Sequence, residues 1–184
     1  MKKQILTILC VMFLGTGTVF SQNISNAVKT SLTSPFLRTY LIAYERVINQ
    51  DMGAQLGFYY TGFKLGDAKF SGYAITPEFR YYLSETKGAP SGGFVAPFFR
   101  YQNFTLENKN DPAAGKGTFT RIGGGLIVGT QRVFKDKITL SAFIGPYYGK
   151  SDLAWDDPND QLDFGLNTEG RWWARSGINI GLAF

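Results

Sequence analysis

The sequence contains no histidine, and its single cysteine is Cys10. Without histidine there is no Ser-His-acid triad, no imidazole general base and no histidine-bound zinc, which removes the usual routes to ester hydrolysis and acyl transfer. A Ser-Lys or paired-carboxylate mechanism has no local signature here, so the chain reads as a non-enzyme. With one cysteine there is no internal disulfide, and the fold must hold by burial and hydrogen bonding. No run of about 20 apolar residues exists, so a membrane helix is excluded. No basic cluster interleaves with aromatics, so nucleic acid is not an expected partner.

Cys10 belongs to an N-terminal segment of its own. Lys2 and Lys3 precede an apolar run from Ile5 to Leu14, and small residues lead to Phe20, Ser21 and Gln22. This is the pattern of a secretory signal peptide, read as residues 1–21, with a single domain over 22–184. Thr7, Ile8 and Leu9 before Cys10 are not the small residues that a lipoprotein cleavage site wants. Removing Lys2 and Lys3 lowers the formal charge from +5 to +3.

What the chain has in quantity is glycine, 22 residues, and aromatic side chains, 16%. Its periodic segments alternate with period two, which predicts strands. Trp172, Ala174, Ser176, Ile178, Ile180, Leu182 and Phe184 oppose Trp173, Arg175, Gly177, Asn179, Gly181 and Ala183. The same split recurs over 138–149, 121–131, 95–102, 73–83, 52–61 and 40–45, with a further strand from about Val28 to Phe36. Ile127 and Gly124 interrupt the pattern. Pro77, Pro97 and Pro146 fall mid-strand, where a missing donor predicts bulges or the last paired residue near a rim. Eight strands joined by alternating short and long connections predict an all-β, eight-stranded, antiparallel, up-and-down transmembrane barrel. The short turns lie near 49–51 and 134–137, and the long loops run over 107–116 and 150–171.

Alternation alone leaves open which face meets water. Apart from Lys29, the lysines beyond the signal segment fall in predicted loops or turns, whereas a soluble barrel would scatter them along its outer faces. Glu45, Gln55, Glu78, Arg80, Arg100, Gln102, Arg121, Gln131, Arg175 and Asn179 share the polar face with glycine, which suits a narrow filled lumen. Tyr40, Tyr44, Tyr81, Tyr82 and Tyr148 suit interfacial girdles. The alternative is a secreted soluble barrel holding a small apolar ligand; a continuous apolar belt on the outside would exclude it.

Glu45 and Glu78, set against Arg80, Arg100, Arg121 and Arg175, are the one charge constellation. As structural glue they would pair inside the lumen, since a lone buried charge is expensive. As an anion-selective pore they would need a wider channel, of about sixteen strands. Asp152, Asp156, Asp157, Asp160 and Asp163 lack the glycine and distal glutamate of a calcium loop. Gly123 to Gly125 and Gly129 lack the lysine and helix of a phosphate loop, and are read as permitting close packing or curvature. No cofactor or metal is expected.

On the stretches 44–46, 75–83 (Ile-Thr-Pro-Glu-Phe-Arg-Tyr-Tyr-Leu), 96–101 (Ala-Pro-Phe-Phe-Arg-Tyr) and 143–146, the chain resembles the OmpA and OmpX type of eight-stranded outer-membrane barrel. It resembles more closely an uncharacterised secreted barrel family of Gram-negative bacteria. The resemblance spans residues 26–184 and implies an outer-membrane location, with membrane lipid and lipopolysaccharide as surroundings, and no activity. The ending Asn179-Ile180-Gly181-Leu182-Ala183-Phe184 is similar to the signal read by the barrel-assembly machinery, with Asn179, Gly181 and Phe184 as its marked positions.

Overall fold

A computed structural model describes residues 25–32, 39–65, 68–83, 88–108, 117–155 and 170–184. The predicted signal segment and most of the acidic run, 156–169, lie outside them. Eight strands, β1 (Asn26–Ser31), β2 (Thr39–Val47), β3 (Met52–Leu65), β4 (Ala68–Tyr82), β5 (Gly92–Asn108), β6 (Gly117–Phe134), β7 (Ile138–Trp155) and β8 (Arg171–Ala183), follow one another in chain order. Each pairs antiparallel with the next, and β8 closes the barrel on β1 through residues 179–183.

The register fixes how the barrel is wound. Ala27 pairs with Glu45, Glu45 with Gln55, Gln55 with Glu78, Glu78 with Phe98, Phe98 with Gly125, Gly125 with Tyr147 and Tyr147 with Trp173. On β8, however, Ala27 itself pairs with Ala183, ten positions beyond Trp173. A stagger of ten over eight strands tilts them by roughly 35–45° and leaves a bore that side chains can fill.

Among the described residues no strand carries a bulge, which corrects the expectation for the three prolines. The β4–β5 pairing runs in one register through Ile75 with Tyr101, Glu78 with Phe98 and Tyr81 with Val95. The β6–β7 pairing does the same through Gly125 with Tyr147 and Val128 with Ile144. Pairing lapses between those points instead. Pro77 and Pro97 share the β4–β5 seam, so two missing donors fall at one place, and Pro146 occupies the β6–β7 lapse. All three rings point outward, where no lumen group must move for them. A Cβ at Gly145 would meet the backbone of Leu126 and Ile127, and one at Gly125 that of Pro146 and Tyr147, so glycine alone fits this closely apposed seam.

The strands also run further than alternation showed. β7 extends to Trp155, pairing with Gly117, so part of the predicted 150–171 loop is strand; β5 and β6 extend likewise. Lys64, Lys69 and Lys150 consequently lie in strands, at their ends away from the termini. At 17 and 18 residues these strands exceed the nine to eleven needed to cross the hydrocarbon. Toward those ends the inner face stays buried, at Leu106, Phe119 and Ser151, while the outer face turns polar, at Lys150 and Asp152, so the apolar contrast that marks a strand in sequence fades.

At the termini end, short turns join β2 to β3 and β6 to β7. In the β6–β7 turn Lys135 and Asp136 both have positive φ, 50° and 54°, and the Lys137 amide donates to the Phe134 carbonyl at 3.1 Å. Two positive φ values mark a type I′ turn, which favours Asn-Gly. Replacing Lys135-Asp136 by Asn-Gly should therefore stabilise the barrel by about 1 kcal/mol, read as a higher urea midpoint with an unchanged slope.

A candidate lumenal site

Val28, Ile42, Phe58, Ile75, Phe79, Phe99, Leu126, Val128, Ile144, Ile178 and Leu182 project outward and are exposed, contributed by all eight strands. Pairing sets Tyr40 beside Tyr60 and Tyr60 beside Tyr73 on this outer face, and Tyr148 meets Trp172 edge-on at 5.5 Å. Tyr81 also faces out. Tyr82 does not belong with them, contrary to the sequence reading: neighbours on a strand face opposite ways, and Tyr82 is the inward member. An apolar belt on the outside is the arrangement of a membrane barrel, and it overturns the alternative in which the apolar face lines a ligand cavity.

The inside is polar. Glu45 accepts bonds from Lys29 Nζ, from Tyr82 Oη at 2.5 Å and from Gln131 Nε2 at 2.9 Å, and its other close charge is Arg80 at 3.6 Å. Lys29 also donates to Gln55 Oε1 at 3.0 Å and to Gln131 Oε1 at 2.6 Å. Glu78 accepts from Gln55 Nε2 at 3.1 Å, from Arg80 Nη2 at 3.1 Å and from Arg175 Nη2 at 2.5 Å. Aromatic rings complete the layer: the Arg80 guanidinium lies 4.5 Å from the Phe94 ring centre, and that of Arg175 lies between Phe98 at 4.6 Å and Phe143 at 4.7 Å. Every strand contributes to this plug, which occupies the half of the lumen nearer the termini.

Of the six charges singled out in sequence, the plug unites Glu45, Glu78, Arg80 and Arg175. Arg100 and Arg121 stand apart. Arg100 donates to Thr76 Oγ1 at 3.3 Å and lies 5.5 Å from the Tyr59 ring centre. Arg121 donates to Ser151 Oγ at 2.9 Å and stacks 4.0 Å from Trp173. Both sit nearer the loop end, out of reach of the two lumenal glutamates. Lys29, Gln55, Gln131 and Tyr82 are the members that charge-counting missed. Lys29 did carry a signal, as the one lysine placed on a strand. Tyr82 donates to a carboxylate, a bond worth about 1.5–3 kcal/mol, so Tyr82→Phe should lower stability by that amount in a denaturant titration.

Around the last strand, Asn179 is buried and faces inward opposite Ser31, whereas Phe184 is exposed on the outer rim. The Phe184 amide donates to Asn26 and its carbonyl accepts from Asn26, both at 2.9 Å. A Cβ at Gly181 would meet the Val28 carbonyl and the Lys29 side chain, so this glycine lets β8 approach β1 at the closing seam. Asp152 faces outward near the end of β7. Among the described residues no group of three potential ligands could hold a metal ion.

Closed strands, outer belt and polar plug define an eight-stranded membrane β-barrel. The family described as "Protein of unknown function (DUF3575)" matches over residues 6–154, and the chain belongs to it. No curated protein matches the sequence. Among solved structures the chain is similar to the N-terminal β-barrel domain of Pseudomonas aeruginosa OprF, at 17% identity and a TM-score of 0.49, over 88% of this chain and 98% of that one.

Proposed function

We propose that this chain is an integral protein of a Gram-negative outer membrane, acting without catalysis, either as a structural element of the envelope or through its surface loops. The observation that carries the reading is the pairing of an apolar exterior with a lumen plugged by side chains from all eight strands. A barrel so built offers the membrane a wall and offers solutes no open channel at its termini end. Outer-membrane lipid and lipopolysaccharide are its surroundings, and the barrel-assembly machinery reads Asn179, Gly181 and Phe184 during biogenesis. The interlocking charges at Glu45 and Glu78 serve structure, since each buried charge has an opposite partner. The extended strand ends of β5, β6 and β7 lift the loops away from the bilayer.

Fractionation of native cells, followed by gel mobility with and without boiling, tests the location. A carbonate-resistant outer-membrane band that shifts on boiling is expected, together with no conductance above background in planar bilayers. A soluble, unshifted protein would overturn the membrane reading, and steady conductance would overturn the plug.

A further inference from the structure

Above the plug the described residues leave part of the lumen open. A cavity of about 300 Å³ lies there, lined among others by Tyr59, Arg100, Gln102, Tyr147, Arg175 and Asn179. At ~30 Å³ per water that is room for about ten waters. Charges around it are uneven. Arg175 shares Glu78 with Arg80, and Arg100 makes no ion pair among the described residues. The plug itself sets Lys29, Arg80 and Arg175 against Glu45 and Glu78, so no anion is left over for Arg100.

Hydrogen bonding is incomplete at the same place. Nη1 of Arg175 is buried without a partner, and so is Oε1 of Gln102, on a side chain 8% exposed. A buried donor left unpaired costs about 1–3 kcal/mol, and more when it is charged. Two rings flank the Arg175 guanidinium and Glu78 takes its Nη2, which leaves Nη1 as the unused donor. Arg100, held over Tyr59, has donors beyond the one used on Thr76.

We infer that this cavity is a binding site for a compact oxyanion carrying a hydroxyl, held between the guanidiniums of Arg100 and Arg175. Two planar forks suit a carboxylate or phosphate, which each can engage through paired N–H donors. The ligand hydroxyl, or the O–H of a protonated phosphate, gives Gln102 Oε1 the donor it lacks. A small turn about the last side-chain bonds brings Arg175 Nη1 and Gln102 Oε1 to the cavity surface. The site goes beyond the structural role proposed above and requires no conduction, because the plug closes its floor.

Calorimetric titration of the folded, detergent-solubilised full chain tests this, with inorganic phosphate, glycolate and chloride as separate probes. Saturable binding of one phosphate or one glycolate per chain is expected, with chloride at least tenfold weaker, and whichever oxyanion binds identifies the source. Arg100→Gln should weaken binding at least tenfold while keeping its boiling-dependent gel shift; Arg132→Gln, on the outer face, should bind as the parent does. Absence of saturable heat with both oxyanions overturns the site, as does chloride binding as tightly as they do. Unchanged affinity in folded R100Q overturns it too, and if R100Q fails to fold, the parent titration decides alone.

Discussion

Glu45→Ala should destabilise the barrel by about 3–5 kcal/mol, the cost of breaking a buried ion pair from one side. Glu45 is fully buried and is the acceptor on which Lys29, Tyr82 and Gln131 converge, with Arg80 alongside. Its removal leaves the Lys29 ammonium with two neutral amides, Gln55 and Gln131, as acceptors. Arg80 keeps Glu78, so the loss falls mainly on Lys29. Deleting both charges with apolar residues of similar volume, Lys29→Met with Glu45→Leu, should cost less than E45A alone, because no cation is then stranded. Urea titration in lipid vesicles, read by the boiling-dependent gel shift, measures both. A double variant weaker than the single one would show that Glu45 matters for its hydrogen bonds rather than its charge.

The outward face was legible because the bilayer imposes a strict alternation wherever it touches the strands. β7 alternates without a break from Thr139 to Asp152, as the sequence suggested for its first part. Ile127 broke the expected pattern because it is an apolar residue on the polar side, fully buried in the core beside Phe94, Phe98 and Phe143. Gly129 gives those rings room, since a Cβ there would meet Phe94 and Phe143.

Which inward charge meets which was not legible. Partners depend on the stagger, a property of the closed ring that no single strand encodes. Glu45 and Arg80 come together across β3, and Lys29 reaches Gln131 across the bore. Glutamine was the other blind spot: Gln55 and Gln131 carry no charge, yet each both donates and accepts within the plug. The place of Arg100 was hidden for a similar reason, because a shared inward face does not show which of the four arginines meet the two glutamates, while the register brings Glu78 to Arg80 and Arg175 and leaves Arg100 above.

Ile144→Arg separates a lipid-facing exterior from a water-facing one. Ile144 is 60% exposed on the outer face of β7, well inside the strand, with Val128 and Ser176 as its cross-strand neighbours. An arginine near the bilayer midplane costs about 2–4 kcal/mol in a membrane barrel, falling to about 0–1 near the interface. Ala154, also outward but close to the end of β7, supplies the comparison. Ile144→Arg should therefore lower stability in vesicles by about 2–4 kcal/mol and Ala154→Arg by less than about 1 kcal/mol, both from urea titration. Water on the outer face would make the two substitutions equal and nearly free, since an exposed arginine there loses no hydration. A depth-dependent cost thus reports on the medium around the barrel and leaves the lumen untouched, because neither side chain points inward.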